Sequence, residues 1–444
     1  VKAPPAAPSL ERLLTAQHAQ LDHIVASSLA LDDSEYLHWD KLRHLSPPHP
    51  LTSEQWWLAL KLKRGMGATR IPELRATNDR ALALARHARI EAALADADRR
   101  LAGAVAAPQA VLDDSTRNRF VASSLMEEAI HSSMFEGAVS TREAAKEMLR
   151  NARAPLNRDE RMIINNYRAM SRLGELRKQT LSVEVILELH RILTDGTLDD
   201  PRDAGRIQTP DDHRVDVFDR RIQRSVFQPP PAAQLPERLD RLVRFANADD
   251  ITDGRYLHPV MRSILLHFQL AYDHPFVDGN GRTARALFYW SMLRRGYWLT
   301  EFISISRLLY ANRSPYERAY LFVESDEQDG TYFVLQQLEA LRQATDELYV
   351  YVARKSAELM QLRNLLAHRD DLNHRELALL EHALRKPETT YTHESHANSH
   401  RVSIVSARAD LLHLTRLGWL RKTKLGKKFA YRAVPGLEKR LGRT

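Results

Sequence analysis

A mainly α fold is predicted by three observations. Apolar residues recur at helical spacing through most of the 444 residues. Strand-like runs are confined to one segment near 205–231 and to a short basic segment close to the C-terminus. Pro and Gly-Asn punctuation falls where one periodic run gives way to the next. The 43% hydrophobic and 27% charged content suits an ordinary soluble protein with material for several cores, and the length suggests about three domains.

The first domain spans 1–110 and reads as Ala/Leu/Arg-rich helices. In "YLHWDKLRHLSPPHPLTSEQWW", Pro47, Pro48 and Pro50 stop one helix. Thr52 and Gln55 form a capping box for the next, and Trp39, Trp56 and Trp57 are expected to pack this part. "AVAAPQA", around Pro108, looks like a joint. The second domain, 111–350, is helical with one interruption. There, "RVDVF" and "RSVF" are β-prone, separated by polar residues and followed by "QPPP", which predicts a hairpin within 205–231. The third domain, 371–444, follows the charged stretch "RDDLNHRE" and reads as three helices and a small hairpin around Gly426.

Composition excludes some functions. The chain has no cysteine, so disulfides and thiolate metal sites are ruled out, and a reducing cytoplasm is the expected compartment. The start "VKAPPAAPSL" lacks a basic region followed by an apolar run, so no signal peptide is expected. Charges break the apolar segments well short of about 18 residues, so no membrane span is expected either. The net charge of +8 resides in the last domain, where 15 Lys/Arg stand against 7 Asp/Glu from Asp371 onward. A nucleic-acid partner would be sought there.

The densest chemistry is "HPFVDGNGRTAR", His274 to Arg285. It follows an apolar helix that Pro275 should end, and "RTARALFYWSMLRRG" resumes a helix until Gly296. A tight Gly-Asn-Gly turn feeding a helix N-terminus makes an anion cradle from first-turn N–H groups and the helix dipole. Arg282 and Arg285, three apart, share a face and can grip adjacent phosphates. Asp278 is a hard oxygen ligand suited to phosphate-bound Mg²⁺, and His274 can take a proton near neutrality. Any one of these residues alone would be read as a local ion pair. His190, His258 and His267 sit in apolar helical patterns and read as core histidines. Tyr316 and Tyr320, four apart, read as core with adenine contact as the alternative.

These twelve residues resemble the signature of the Fic (filamentation induced by cyclic AMP) domain, H-x-F-x-[DE]-G-N-G-R-x-x-R, at every fixed position. The resemblance covers about 112–350. It implies a Fic-type helical core with a β-hairpin flap, beside a helical N-terminal domain and a C-terminal winged helix-turn-helix. The implied activity is transfer of AMP from ATP to a Ser, Thr or Tyr hydroxyl of a target protein. By similarity His274 would be the base and Asp278 would hold Mg²⁺. Gly279, Asn280 and Gly281 would cradle the α-phosphate, Arg282 would bind the β-phosphate and Arg285 the γ-phosphate.

Upstream, "SSMFEG" in a helix at about 121–137 resembles the family's inhibitory motif, [ST]-x-x-x-E-[GN]. Leu125, Ala129, Ser132 and Glu136 share one helix face, and Gly137 would cap it. The resemblance implies that Glu136 is a buried carboxylate pairing with Arg285 and excluding the γ-phosphate. The flap would align the target chain by strand pairing. Here the sequence departs from the family, since many members read G-x-[FY]-R where this chain has "GRIQ".

The expected ligands are therefore ATP and Mg²⁺. The expected partners are a protein substrate on the flap and, through the last domain, DNA or a second copy of the chain. In that domain the helix from about Ser403 would read DNA, and Lys422, Lys424, Lys427 and Lys428 would meet phosphates. The same fold also carries AMP removal and other nucleotide or phosphate transfers. Doc-type motifs, however, have lysine where this chain has Gly281. A DNA-binding regulator with a Fic-like sensor core is the alternative of a different class.

Overall fold

The computed structural model describes residues 3–103, 114–214, 217–219, 224–252, 254–365, 371–425 and 428–441. The expected joint at Pro108, the tip of the 205–231 hairpin, and Gly426 with Lys427 lie outside the described residues. Helices dominate, and the sheets are small: three two-stranded hairpins and one three-stranded sheet among the described residues. None of these helices is long and apolar enough to cross a membrane.

Two compact units are each assembled from separated stretches of the sequence. One compact unit combines Val1–Asp98, Arg172–Tyr297 and Leu308–Arg342; the other combines Arg99–Ser171, Trp298–Arg307 and Gln343–Thr444. The N-terminal residues thus fold with the His274–Arg285 stretch, and the Glu136 helix folds with the C-terminal residues.

In the first unit, Trp57 is fully buried in a cluster with Leu13, Ile24, Leu42, Leu58 and Leu60, and Trp39 and Trp56 pack against it. Thr52 and Gln55 form the expected capping box of helix Ser53–Gly65. The prolines follow a helix of only four residues, Trp39–Leu42. The expectation of helices throughout 1–110 fails at Thr69–Arg75 and Ala81–Leu84, which pair as an antiparallel hairpin. Pro72 forbids a helix there, and "ALAL" has alternating burial rather than a helical stripe. The second strand is held by its partners: Ala83 N–H donates to Gln328 O, and Gly330 N–H to Ala83 O.

Helix Pro259–Asp273 is buried along nearly its whole length, as is Asn280–Arg294 after it. The flap forms where expected, from strands Val217–Asp219 and Arg224–Phe227. Phe227 packs on Tyr272, 4.7 Å between ring centres, which sets the base of the flap against the end of helix Pro259–Asp273.

In the second unit, helices Asp114–Phe135 and Arg142–Arg150 share a core of Met126, Ile130, Met148 and Ile163. The C-terminal residues run helix His374–Arg385, strand Thr390–Tyr391, helix His393–His400, helix Ile404–Arg416 and hairpin Leu420–Leu425/Lys428–Ala433. The short first strand, which the sequence did not betray, pairs with Lys428–Ala433 and makes that strand central. Leu380, Leu411, Leu414, Trp419 and Tyr431 form the core beneath.

Candidate active site

The site is built on a helix end that is bent and then tied. Helix Pro259–Asp273 stops at His274, which adopts the left-handed conformation (φ 50°, ψ 55°) while its N–H still donates to Leu270 O at 3.0 Å. Pro275 cannot continue the helix. A left-handed non-glycine residue costs on the order of 1–3 kcal/mol, so it persists only where its surroundings over-determine it.

Several groups do so. Arg214, at the flap base, donates from Nη1 to His274 O at 2.7 Å and from Nη2 to Asp273 O at 2.8 Å. Gln208 N–H donates to Pro275 O at 2.9 Å. The Asn280 amide closes the loop on itself: its Oδ1 accepts from Phe276 N–H (2.9 Å) and its Nδ2 donates to Phe276 O (2.7 Å). Phe276 stacks on His190, with ring centres 3.8 Å apart. His190 Nε2–H donates to Asp278 O at 2.8 Å while Nδ1 accepts from Gly205 N–H at 2.9 Å. That pairing fixes the neutral tautomer, and burial pulls the His190 pKa down to about 4. His190 is indeed a satisfied buried histidine, and what it satisfies is the loop.

Gly279 is required twice. Its φ is 86°, and a Cβ would lie 2.8 Å from Thr194 Cγ2 and 3.2 Å from His190 Nε2. From this turn the chain enters helix Asn280–Arg294, whose first turn presents N–H groups that no carbonyl of the helix can accept. The Asn280 side chain is committed to the loop, so its part in a cradle falls to its backbone.

The loop groups His274, Asp278, Gly279, Asn280, Gly281, Arg282 and Arg285 on one helix–turn–helix. His274 Nδ1 lies 3.3 Å from Ala271 O. An Nδ1–H donated there leaves the lone pair on Nε2, the tautomer a proton acceptor needs. The Asp278 side chain is 43% exposed; one oxygen accepts Gly279 N–H at 2.5 Å and the other lies 3.4 Å from Arg282 Nη2. Its remaining lone pairs suit a single-carboxylate Mg²⁺ site completed by phosphate oxygens and water. Arg282 and Arg285 are each 1% exposed. Arg282 Nη1 donates to Leu193 O at 3.1 Å. Guanidinium groups this deep are held only where they are paired or hydrogen-bonded. His267, fully buried, is pulled down to about 3, first by burial and then by the charge of Arg285.

Ser132 and Glu136 belong to the second unit. Ser132 is buried, as are Leu125 and Ala129 on the same face. Glu136 departs from expectation: the helix ends at Phe135, and Glu136 and Gly137 form an exposed turn (Gly137 φ 100°). One residue past the helix, the carboxylate leaves the apolar face on which it was counted. Tyr316 packs in the core, its hydroxyl 3.1 Å from His267 Nε2 and 3.2 Å from that of Tyr320. Sequence reasoning missed Arg214 and the buried pair Arg238–Asp273 (2.7 Å), which ties the end of helix Pro259–Asp273 to Ala76 O of the N-terminal hairpin. No signal marked them: "DDHRVDVF" is one of many stretches with arginine beside acids.

Residues 180–292 match the model of the Fic/DOC family. Residues 180–292 thus carry a Fic/DOC domain. The matched span contains the whole tied loop, the His190 anchor and the flap. "Protein adenylyltransferase fic-1" of Caenorhabditis elegans is 34% identical over 117 residues, which is 26% of this chain and 20% of that protein. "Protein adenylyltransferase Fic" of Drosophila erecta is 31% identical over 122 residues, 28% of this chain and 22% of that protein. The match thus spans about a fifth of the length of these curated relatives. A solved structure of Fic-1 from C. elegans shares the fold with a TM-score of 0.50 at 19% identity, over 79% of this chain and 90% of that one.

Proposed function

We propose that this chain is a protein adenylyltransferase that moves AMP from ATP to a hydroxyl of a target protein. One observation carries the reading: the tied loop brings a histidine whose Nδ1 faces Ala271 O, a half-exposed carboxylate, a helix N-terminus and two buried arginines onto a single helix–turn–helix. In the reaction, His274 Nε2 takes the proton of the target hydroxyl as its oxygen attacks the α-phosphorus. The new O–P bond forms as the bond to the β-phosphate oxygen breaks, and pyrophosphate leaves. The N–H groups of Asn280 and Gly281 hold the α-phosphate oxygens while Gly279 N–H stays with Asp278, and Arg282 and Arg285 hold the β- and γ-phosphates. Mg²⁺, when bound at Asp278, supplies charge neutralisation on the phosphates. The Gln208–Pro275 backbone bond supports the flap as the edge along which a target strand is laid.

We also propose that Glu136 restrains the activity by competing with the γ-phosphate for Arg285. An exposed carboxylate in the turn that follows the helix is suited to a removable restraint. The test is incubation with ATP labelled at the α- or the γ-phosphate, on wild type, His274→Ala and Glu136→Gly. The reading expects α-label on protein, lost in His274→Ala and raised in Glu136→Gly. Label arriving only from the γ-phosphate would sink the AMP-transfer reading. Equal α-labelling of wild type and Glu136→Gly would sink the restraint alone.

A further inference from the structure

The basic C-terminal residues are not used by AMP transfer, and their arrangement has its own logic. Ser403 caps helix Ile404–Arg416, its hydroxyl accepting from Ser406 N–H at 3.1 Å. That helix follows His393–His400 after a tight turn in which Arg401 is left-handed. The hairpin beside it pairs Lys422 with Tyr431 and Lys424 with Phe429, so these four side chains share one face of the sheet. Lys422 Nζ lies 3.8 Å from the centre of the Phe429 ring, and Tyr431 OH lies 3.0 Å from His393 Nε2. Arg408 of the helix and Lys422 of the hairpin both act on His393, lowering its pKa alongside burial, with Glu394 as the opposing charge. The helix and the hairpin therefore bring Arg408 and Lys422 together near His393, with Lys424 on the same face of the hairpin.

Apolar groups share that surface. Val405 is 78% exposed and Phe429 45%, while Ile404 is also exposed. Elsewhere the domain is covered: helix His393–His400 packs on Asp114–Phe135 and Arg142–Arg150, and Asn398 Nδ2 donates to Arg150 O at 3.2 Å.

We propose that this face binds duplex DNA as a winged helix-turn-helix, with the start of helix Ile404–Arg416 in the major groove. Arg408, Lys422 and Lys424 lie against the phosphates. Ile404 and Val405, β-branched and exposed at the helix start, suit contact with thymine methyls. Charge complementarity favours nucleic acid over a second copy of this chain, because two such faces would repel. The inference is independent of AMP transfer.

The test uses the full chain and a fluorescently labelled duplex of mixed sequence, read by anisotropy over a salt series. Three phosphate contacts give a slope of log affinity on log salt of about −2 to −3. The triple variant Arg408→Glu, Lys422→Glu, Lys424→Glu should weaken binding at least tenfold at low salt and flatten the slope. All three side chains are on the surface, and an unchanged melting temperature checks that the variant is folded. Absence of binding at low salt, or binding that the variant leaves intact, overturns the proposal. So does a concentration-dependent dimer that the variant dissolves while wild type ignores DNA, which would assign the face to a second copy. A single Val405→Ala change should lower affinity severalfold without altering the slope.

Discussion

The proposed chemistry rests on two helix ends, and they are finished in opposite ways. At the end of Pro259–Asp273, His274 is forced left-handed and then tied by Leu270 O, Arg214, the Asn280 clamp and the His190 stack. At the end of Asp114–Phe135, Glu136 lies in an exposed turn that relies on Gly137. A proton acceptor must be placed to within a fraction of an ångström, so its backbone is over-determined. A restraint of the kind proposed for Glu136 must be able to leave, and a residue past the last helical turn is placed for that.

The largest effect should come from the tied end. His274→Ala removes the proton acceptor and leaves the cradle, so AMP transfer should fall by about 10²–10⁴-fold with ATP binding retained. Loss of ATP binding in the same variant would mean that the loop itself had come undone. Glu136→Gly acts at the loose end and should raise transfer about 5–150-fold, the range of a coupling of 1–3 kcal/mol. Its melting temperature should stay close to that of wild type, since an exposed turn contributes little stability. A large loss of stability would show that Glu136 is as firmly built in as His274 and would erase the contrast.

The sequence disclosed the tied end better than the loose one. Each fixed residue of "HPFVDGNGRTAR" has a local reason: a helix stop, a turn, a cradle, a pair of cations on one face. Local patterns are what sequence displays. The Thr52–Gln55 box and the two flap strands were legible on the same grounds. The N-terminal hairpin was not, because "ALAL" suits either period until Gln328 and Gly330 supply its partners. The exposure of Glu136 turned on a single residue of helix length, beyond what periodicity resolves. The interleaving of the two units rests on contacts between residues more than a hundred positions apart, on which local patterns are silent.

Arg214 offers a finer test of what ties His274. It reaches both Gln208 Oε1 (2.6 Å) and the carbonyls of Asp273 and His274, so the flap base and the proton acceptor share one guanidinium. Arg214 is a positioning residue on this geometry. Arg214→Gln should lower kcat about tenfold while leaving KM for ATP nearly unchanged, because the phosphate cradle is not touched. Arg214→Lys should recover part of the loss by bonding one of the two carbonyls. An equal rise in KM for ATP, or no recovery with lysine, would make Arg214 a general support of the flap rather than a tie on His274.

Acid should loosen the tied end by a smaller and graded amount. His190 is held down to about 4, and His38 and His267 to about 4 and about 3, in each case chiefly by burial. The unfolded chain binds these protons near pH 6.5, whereas the folded chain refuses them until far lower. Their contribution to stability is therefore whole above about pH 6.5 and is lost as pH falls toward 4. One unit below pH 6.5, each such histidine costs about 1 kcal/mol. Glu324 opposes this, because burial lifts its pKa to about 7 and protonation favours its folded form, and the buried carboxyls of Asp273 and Asp329, raised by burial too, act in the same direction. At His190 the consequence is local: a proton on Nδ1 removes the acceptor of Gly205 N–H and with it one side of the anchor beneath Phe276. His190→Gln, which cannot titrate, should lower the melting temperature at pH 7 and change it less than wild type does between pH 6.5 and 5. Parallel profiles for the two would mean that His190 reaches protons in the folded state, and that the loop is less firmly closed than its hydrogen bonds describe.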